Sequence, residues 1–211
     1  MKILLTAATS KELEAIREVI SEEDRHQIEY LVTGVGMIAT TFSLTEELAV
    51  NQHDLTINIG IAGAFDRSLQ LGEVIEVVED QFSEEWVEDG EQVRTYEEIG
   101  LRGENEIPFE KGVLKANYST PLLKLEKVKA ITVNTVHGNE HEIQKVQERL
   151  NPQIESMEGA AFFYVCQRKK QHCIQLRAIS NYVEKRNRKS WKVDLALNNL
   201  AEETLRLIQQ L

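Results

Sequence analysis

The chain has 211 residues, 24 of them Lys or Arg and 35 Asp or Glu, for a formal charge of −11; 42% are hydrophobic and three are proline. That length and apolar fraction suit one globular domain spanning 1–211 and speak against a disordered chain. The acidic balance argues against nucleic acid or an anionic membrane as partner, since both are held by clustered cations, and no apolar run is long enough to span a bilayer.

From the start of the chain, a short apolar run passes directly into an amphipathic pattern, so MKILLTAATSKELEAI is expected to be structure and not a signal peptide. Expected strands are Lys2 to Ala7, Glu29 to Thr33, Leu55 to Gly60, Glu73 to Val78, Lys129 to Val136, Ile154 to Ser156 and Ile174 to Ser180. Helices fall between them. The first is expected to bury Leu13, Ile16, Val19 and Ile20, and the last Leu197, Leu200, Ala201, Thr204, Leu205, Ile208 and Leu211. Ser190 is the expected cap of that last helix and Asn139 of the one ending at Leu150. This alternation predicts an α/β fold: a single three-layer domain with a central mixed, mostly parallel twisted sheet flanked by helices. Cys166 and Cys173 have no second pair, which fits neither a disulfide framework nor a zinc site and points to a reducing cytoplasm.

Charge is unevenly spread. Residues 79–106 hold eleven acids and two bases, a local balance of −9, and read as a long loop or twisted hairpin. Lys185, Arg186, Arg188, Lys189 and Lys192 show the opposite bias, either as a solvated loop or as a hold for an anionic group.

Open α/β sheets bind ligands at the carboxyl ends of their strands, which directs attention to the turns there. Thr9-Ser10-Lys11-Glu12 has the spacing of a capping box; the same position also suits an acid that holds and polarises water. Gly34-Val35-Gly36 follows the second strand and Gly60-Ile61-Ala62-Gly63-Ala64 the third, small residues that let backbone approach a ligand or let strands pack closely. Glu158 precedes the apolar run Gly159 to Val165; it is either an exposed helix cap or, given those apolar surroundings, a buried carboxylate that needs donors, which two vicinal ribose hydroxyls would supply. Asn181 at the end of Arg177-Ala178-Ile179-Ser180-Asn181 is either a turn former or a donor–acceptor pair suited to a 6-oxopurine.

Taken in order, Gly34-Val35-Gly36, Gly60 to Gly63, Ser156-Met157-Glu158-Gly159-Ala160 and Arg177 to Asn181 resemble the nucleoside phosphorylase and nucleosidase superfamily over nearly the whole chain. Glu155 to Ala161, with Ser180 to Arg186 and Trp191, resembles its futalosine hydrolase branch in particular. The resemblance implies a nucleoside phosphorylase-like fold and cleavage of an N-glycosidic bond; no cofactor is expected, and the scattered His residues, with no ligand spacing, call for no metal. The implied partners are a small-molecule nucleoside and a second copy of the chain, as a homodimer or higher homo-oligomer. It implies that Glu12 binds the attacking water, that Met157 packs on the ribose and Glu158 binds its hydroxyls, and that Asn181 stands where adenine-specific relatives carry Asp. An amide is no general acid, so Asn181 suits hypoxanthine better than adenine. Val35, Ala62 and Gly63 are expected around the substrate, and Trp191 either in the core or against the ligand's far end. The segment around Val136 and His137 aligns loosely with the family's base-stacking loop, and His137 reads as a surface-loop histidine more readily than as a base partner. A phosphorylase would need cations for phosphate, and the turn from Gly60 to Ala64 has none; a nucleoside-binding module without turnover would need no water-positioning acid.

Overall fold

The computed structural model describes residues 1–20, 26–90, 92–118 and 124–211. Ten strands occur among these: β1 (Lys2–Ala7), β2 (Gln27–Val32), β3 (Leu55–Ala64), β4 (Val74–Phe82), β5 (Trp86–Asp89), β6 (Gln92–Thr95), β7 (Leu114–Lys115), β8 (Glu126–Thr132), β9 (Ile154–Ser156) and β10 (Cys173–Tyr182). The helices are α1 (Ser10–Arg17), α2 (Met37–Val50), α3 (Glu140–Leu150), α4 (Gly159–Lys169) and α5 (Val193–Gln210).

The fold is α/β with a mixed sheet, but the sheet is not the open layer that the alternation of elements suggests. Its path runs β10-β4-β8-β9-β3-β1-β2, and β10 also pairs with β3. Five strands therefore close into a ring, with β1 and β2 extending it in parallel. Closure gives β3 three partners, β1, β9 and β10, which is why all but one of its ten residues are buried. The acidic stretch is partly strand: β4 runs on to Phe82, and β5 and β6 form a separate antiparallel hairpin. Within it, Arg102 is clamped between Glu85 and Glu97 and lies over the Phe109 ring.

Side chains alternate between two apolar layers, as the pleat demands. Ile3, Leu5, Ile57, Ile59, Leu176 and Ala178 pack with α1 and α5, whereas Leu4, Ala62 and Ala64 pack with Leu44 of α2 and Phe162, Phe163 and Cys166 of α4. Three local expectations are corrected. Helix α1 stops at Arg17, so Val19 and Ile20 lie beyond it, and Val19 is 40% exposed. Ser190 does not cap α5: it closes a single 3-10 turn, donating to the Asn187 carbonyl, and Lys192 precedes α5 without a side-chain cap. The strand expected to reach Val136 ends at Thr132. Asn139 does cap α3, accepting the amides of His141 and Glu142. Both cysteines are free and buried, and no described helix is long and apolar enough to cross a membrane.

Candidate functional site

Glu12, Val35, Ala62, Gly63, Met157, Glu158, Asn181 and Trp191 all line one cavity of about 330 Å³ at the carboxyl end of β3. Residues spread from position 12 to position 191 thus meet at the strand ends, where the fold class places ligands.

The Glu12 side chain both caps its helix and faces the cavity. Its Oε2 accepts from the Thr9 amide (3.0 Å) and hydroxyl (2.7 Å), and the Thr9 hydroxyl oxygen accepts the Glu12 amide, completing the capping box. Its Oε1 points the other way, toward the Ile61 amide at 3.4 Å. A Cβ at Gly60 would lie 3.2 Å from that oxygen and 3.6 Å from Arg177 Nη1, so the missing side chain lets the acid approach a buried guanidinium.

Glu158 sits just before α4 but bonds elsewhere: its Oε1 accepts the Gly36 amide at 2.9 Å. Gly36 opens α2 with φ +90°, a conformation natural to glycine, and the positive end of the α2 dipole faces the carboxylate. Burial holds the Glu158 carboxyl above the usual carboxylate range, opposed by the Gly36 amide and Arg177 and reinforced by Glu12. Arg177 is itself fully buried, which depresses its basicity, while Glu158, Asp80 and Glu12 support its charge. It donates to the Asn58 side chain at 2.5 Å and to the Leu176 carbonyl at 3.0 Å. One buried cation thus stands behind the two cavity carboxylates, and its charge offsets part of the cost of burying Glu158.

Asn181 is aimed by a bulge. Ile179 pairs with Ala62 and Asn181 with Gly63, leaving Ser180 as the extra residue. The Ser180 hydroxyl donates to Asn181 Oδ1 at 2.8 Å, and Asn181 Nδ2 donates to the Tyr182 carbonyl at 3.0 Å, which fixes the orientation of the amide. Trp191 lines the cavity with Arg186 over its ring, 5.3 Å away. Of the five clustered cations, all exposed, Arg186 alone reaches this cavity; with Lys185 it also borders an adjoining open hollow of about 560 Å³.

His137 is not the surface residue expected. It lines the cavity, and its ring Nδ1 lies 2.6 Å from Glu155 Oε2, an acid only 4% exposed. The sequence offers little to find this pair, because the partners come from a loop and from β9. The one grouping of metal-ligating types among the described residues, Glu29, Glu47 and His53, is not part of the cavity lining. There His53 Nε2 lies 2.9 Å from Glu47, while Nδ1 is buried 3.8 Å from Glu29 without a hydrogen bond among the described residues.

The chain matches the family described as "Phosphorylase superfamily" over residues 2–211. It is 27% identical over 184 residues to a futalosine hydrolase of Thermus thermophilus, covering 86% of this chain and 81% of that one. Among solved structures it superposes on a mutant futalosine hydrolase of Helicobacter pylori with a TM-score of 0.81 at 15% identity, covering 100% of both chains. A 5′-methylthioadenosine/S-adenosylhomocysteine nucleosidase of Neisseria meningitidis, in complex with methylthio-immucillin-A, gives a TM-score of 0.80 at 15% identity, covering 100% of this chain and 99% of that one.

Proposed function

The chain belongs to the phosphorylase superfamily, and from that premise we propose that it is an N-glycosyl hydrolase that releases hypoxanthine from futalosine, a step of menaquinone biosynthesis. One observation carries the choice of water over phosphate. The acids Glu12 and Glu158 line the cavity, and the only Lys or Arg among its lining residues is Arg186. An anionic co-substrate would meet two carboxylates there, whereas water finds in Glu12 an acceptor for its proton.

Cleavage of the glycosidic bond develops positive charge on the sugar and negative charge on the departing base. In this reading Glu158 holds the ribose hydroxyls and places a negative field beside the cationic sugar, with Met157 packed against the ring. Glu12 orients the water and takes its proton. Asn181 meets the base, and its fixed amide supplies a donor and an acceptor to a 6-oxopurine edge. The relative from Thermus thermophilus supports the choice of futalosine among nucleosides.

The reading includes a homo-oligomer with residues 1–211 as one domain. Ile38 and Phe42, one turn apart on α2, are 86% and 63% exposed, and Val35 at the cavity wall is 58% exposed, an apolar stripe suited to a second copy. Sedimentation of the purified protein tests that part. The catalytic part is tested by incubating the protein with futalosine and, separately, methylthioadenosine, with and without phosphate. Hypoxanthine released from futalosine without phosphate is the expected result; adenine release alone, or dependence on phosphate, refutes it.

A further inference from the structure

Asn181 has no proton to give, yet a purine leaves far more readily once protonated. The cavity holds a pair that the reading above leaves unused. Glu155 accepts the backbone amide of His137 at 3.0 Å and faces its ring Nδ1 at 2.6 Å. An ionised carboxylate can only accept, so Nδ1 carries a hydrogen and Nε2 is the free corner of the ring. Among the described residues none bonds to Nε2.

The position of the pair follows from β9. Gly63 is the direct partner of Glu155 across the sheet, and a Cβ built on Gly63 would lie 3.6 Å from Glu155 Cγ and 3.2 Å from Asn181 Nδ2. The dyad and Asn181 therefore flank the same glycine. Glu12 and Glu158 are tied instead to Ile61 and Gly36. The cavity thus has a sugar end with two acids and a base end with an amide and an imidazole.

We propose that His137 is the proton donor to the departing base, and that Glu155 is the positioning residue that holds its ring. This deepens the N-glycosyl hydrolase reading and rests on it. As the bond from C1′ to the base breaks, its electron pair goes to the base and the Nε2 proton of the imidazolium passes to a purine ring nitrogen. Water adds its oxygen to C1′ and gives its proton to Glu12. The products are neutral base and free sugar; His137 regains, and Glu12 loses, one proton through solvent.

The surroundings favour the imidazolium. The bond to Glu155 raises His137 above its ordinary value, Glu84 and Glu142 add to this, and burial opposes it. The Phe65 ring lies 6.2 Å from the imidazole, and the Arg186 side chain packs against neighbouring Gly138.

The test compares wild type, His137→Gln and Glu155→Gln on inosine and futalosine and on p-nitrophenyl β-riboside, whose leaving group departs without a proton. His137→Gln is expected to lower kcat for the purine nucleoside ~10²–10⁴-fold and to change nitrophenol release by less than about threefold. Glu155→Gln is expected to move the alkaline limb of the kcat profile to lower pH. Equal losses on both kinds of substrate, or full purine release by His137→Gln, overturn the assignment while leaving the hydrolase reading intact. A wild type that frees no base from any purine nucleoside overturns both. If His137→Gln does not fold, the alkaline limb of Glu155→Gln decides: a limb that stays in place overturns the proposal.

Discussion

Glu12 reaches the backbone amide of Ile61 through Oε1 at 3.4 Å while its Oε2 closes the helix cap on Thr9, so one carboxylate serves two structures at once. The two duties are separable. Glutamine keeps its one oxygen for the Thr9 amide and is accepted in capping boxes, giving up only the long 3.4 Å bond from the Ile61 amide, whereas it cannot take a proton from water. Glu12→Gln should therefore change unfolding free energy by no more than about 0.5 kcal/mol and lower hydrolysis ~10²–10⁴-fold. Urea denaturation and base release measured on the same preparation check this; lost stability with retained turnover would leave Glu12 as a cap alone.

Asn181→Asp tests base choice. The amide now turns its NH2 toward the Tyr182 carbonyl. An ionised Asp would set oxygen against oxygen there, so the carboxyl favours its protonated form and gains the transferable proton that asparagine lacks. Adenine release relative to hypoxanthine release should rise roughly tenfold, read by chromatography of the freed bases. An unchanged ratio would remove Asn181 from base recognition.

Stability should depend on Asp80. This acid is fully buried, bonded to Thr132 at 2.9 Å and Gln175 at 3.3 Å, and burial pushes it up to about 7. The folded chain holds that proton more tightly than the unfolded chain, where Asp titrates near ~4. The stabilisation is complete below about pH 4 and is lost as pH rises through about 7, amounting to a few kcal/mol. Asparagine carries no such proton, so Asp80→Asn should flatten Tm between about pH 5 and about pH 8 relative to wild type. Parallel slopes in calorimetry would show that Asp80 is ionised throughout.

Gly159 guards the same spot. A Cβ there would lie 2.2 Å from both Asp80 Oδ2 and Gln175 Oε1, two buried side chains with little room to retreat. Gly159→Ala should cost about 1–3 kcal/mol through overpacking, although alanine is the better helix former. A urea midpoint at or above that of wild type would refute the contact.

What the sequence revealed depended on how local the cause was. β1 and β9 begin and end where expected because each is a short apolar run stopped by turn chemistry, and the Thr9–Glu12 box needs only four residues. Ring closure was hidden because a buried strand such as β3 reads the same whether it has two partners or three. β6 escaped because all four of its residues are exposed, leaving no alternation to read. The cavity residues Glu12, Glu158 and Asn181 were legible as acids and an amide at strand ends. The pairing of His137 with Glu155 was not, because each residue alone looks ordinary and only the fold brings them to 2.6 Å.

The ring seam joins β3 to β10, strands from opposite halves of the chain. During synthesis, β3 leaves the ribosome long before its partner exists, and its apolar residues must wait, shielded by α1, α2 or a chaperone. Asn181 arrives on that late strand, and Glu158 shortly before it. A nascent chain halted at any point before β10 therefore owns neither a closed ring nor a complete cavity, and release of base should appear only with nearly the whole polypeptide.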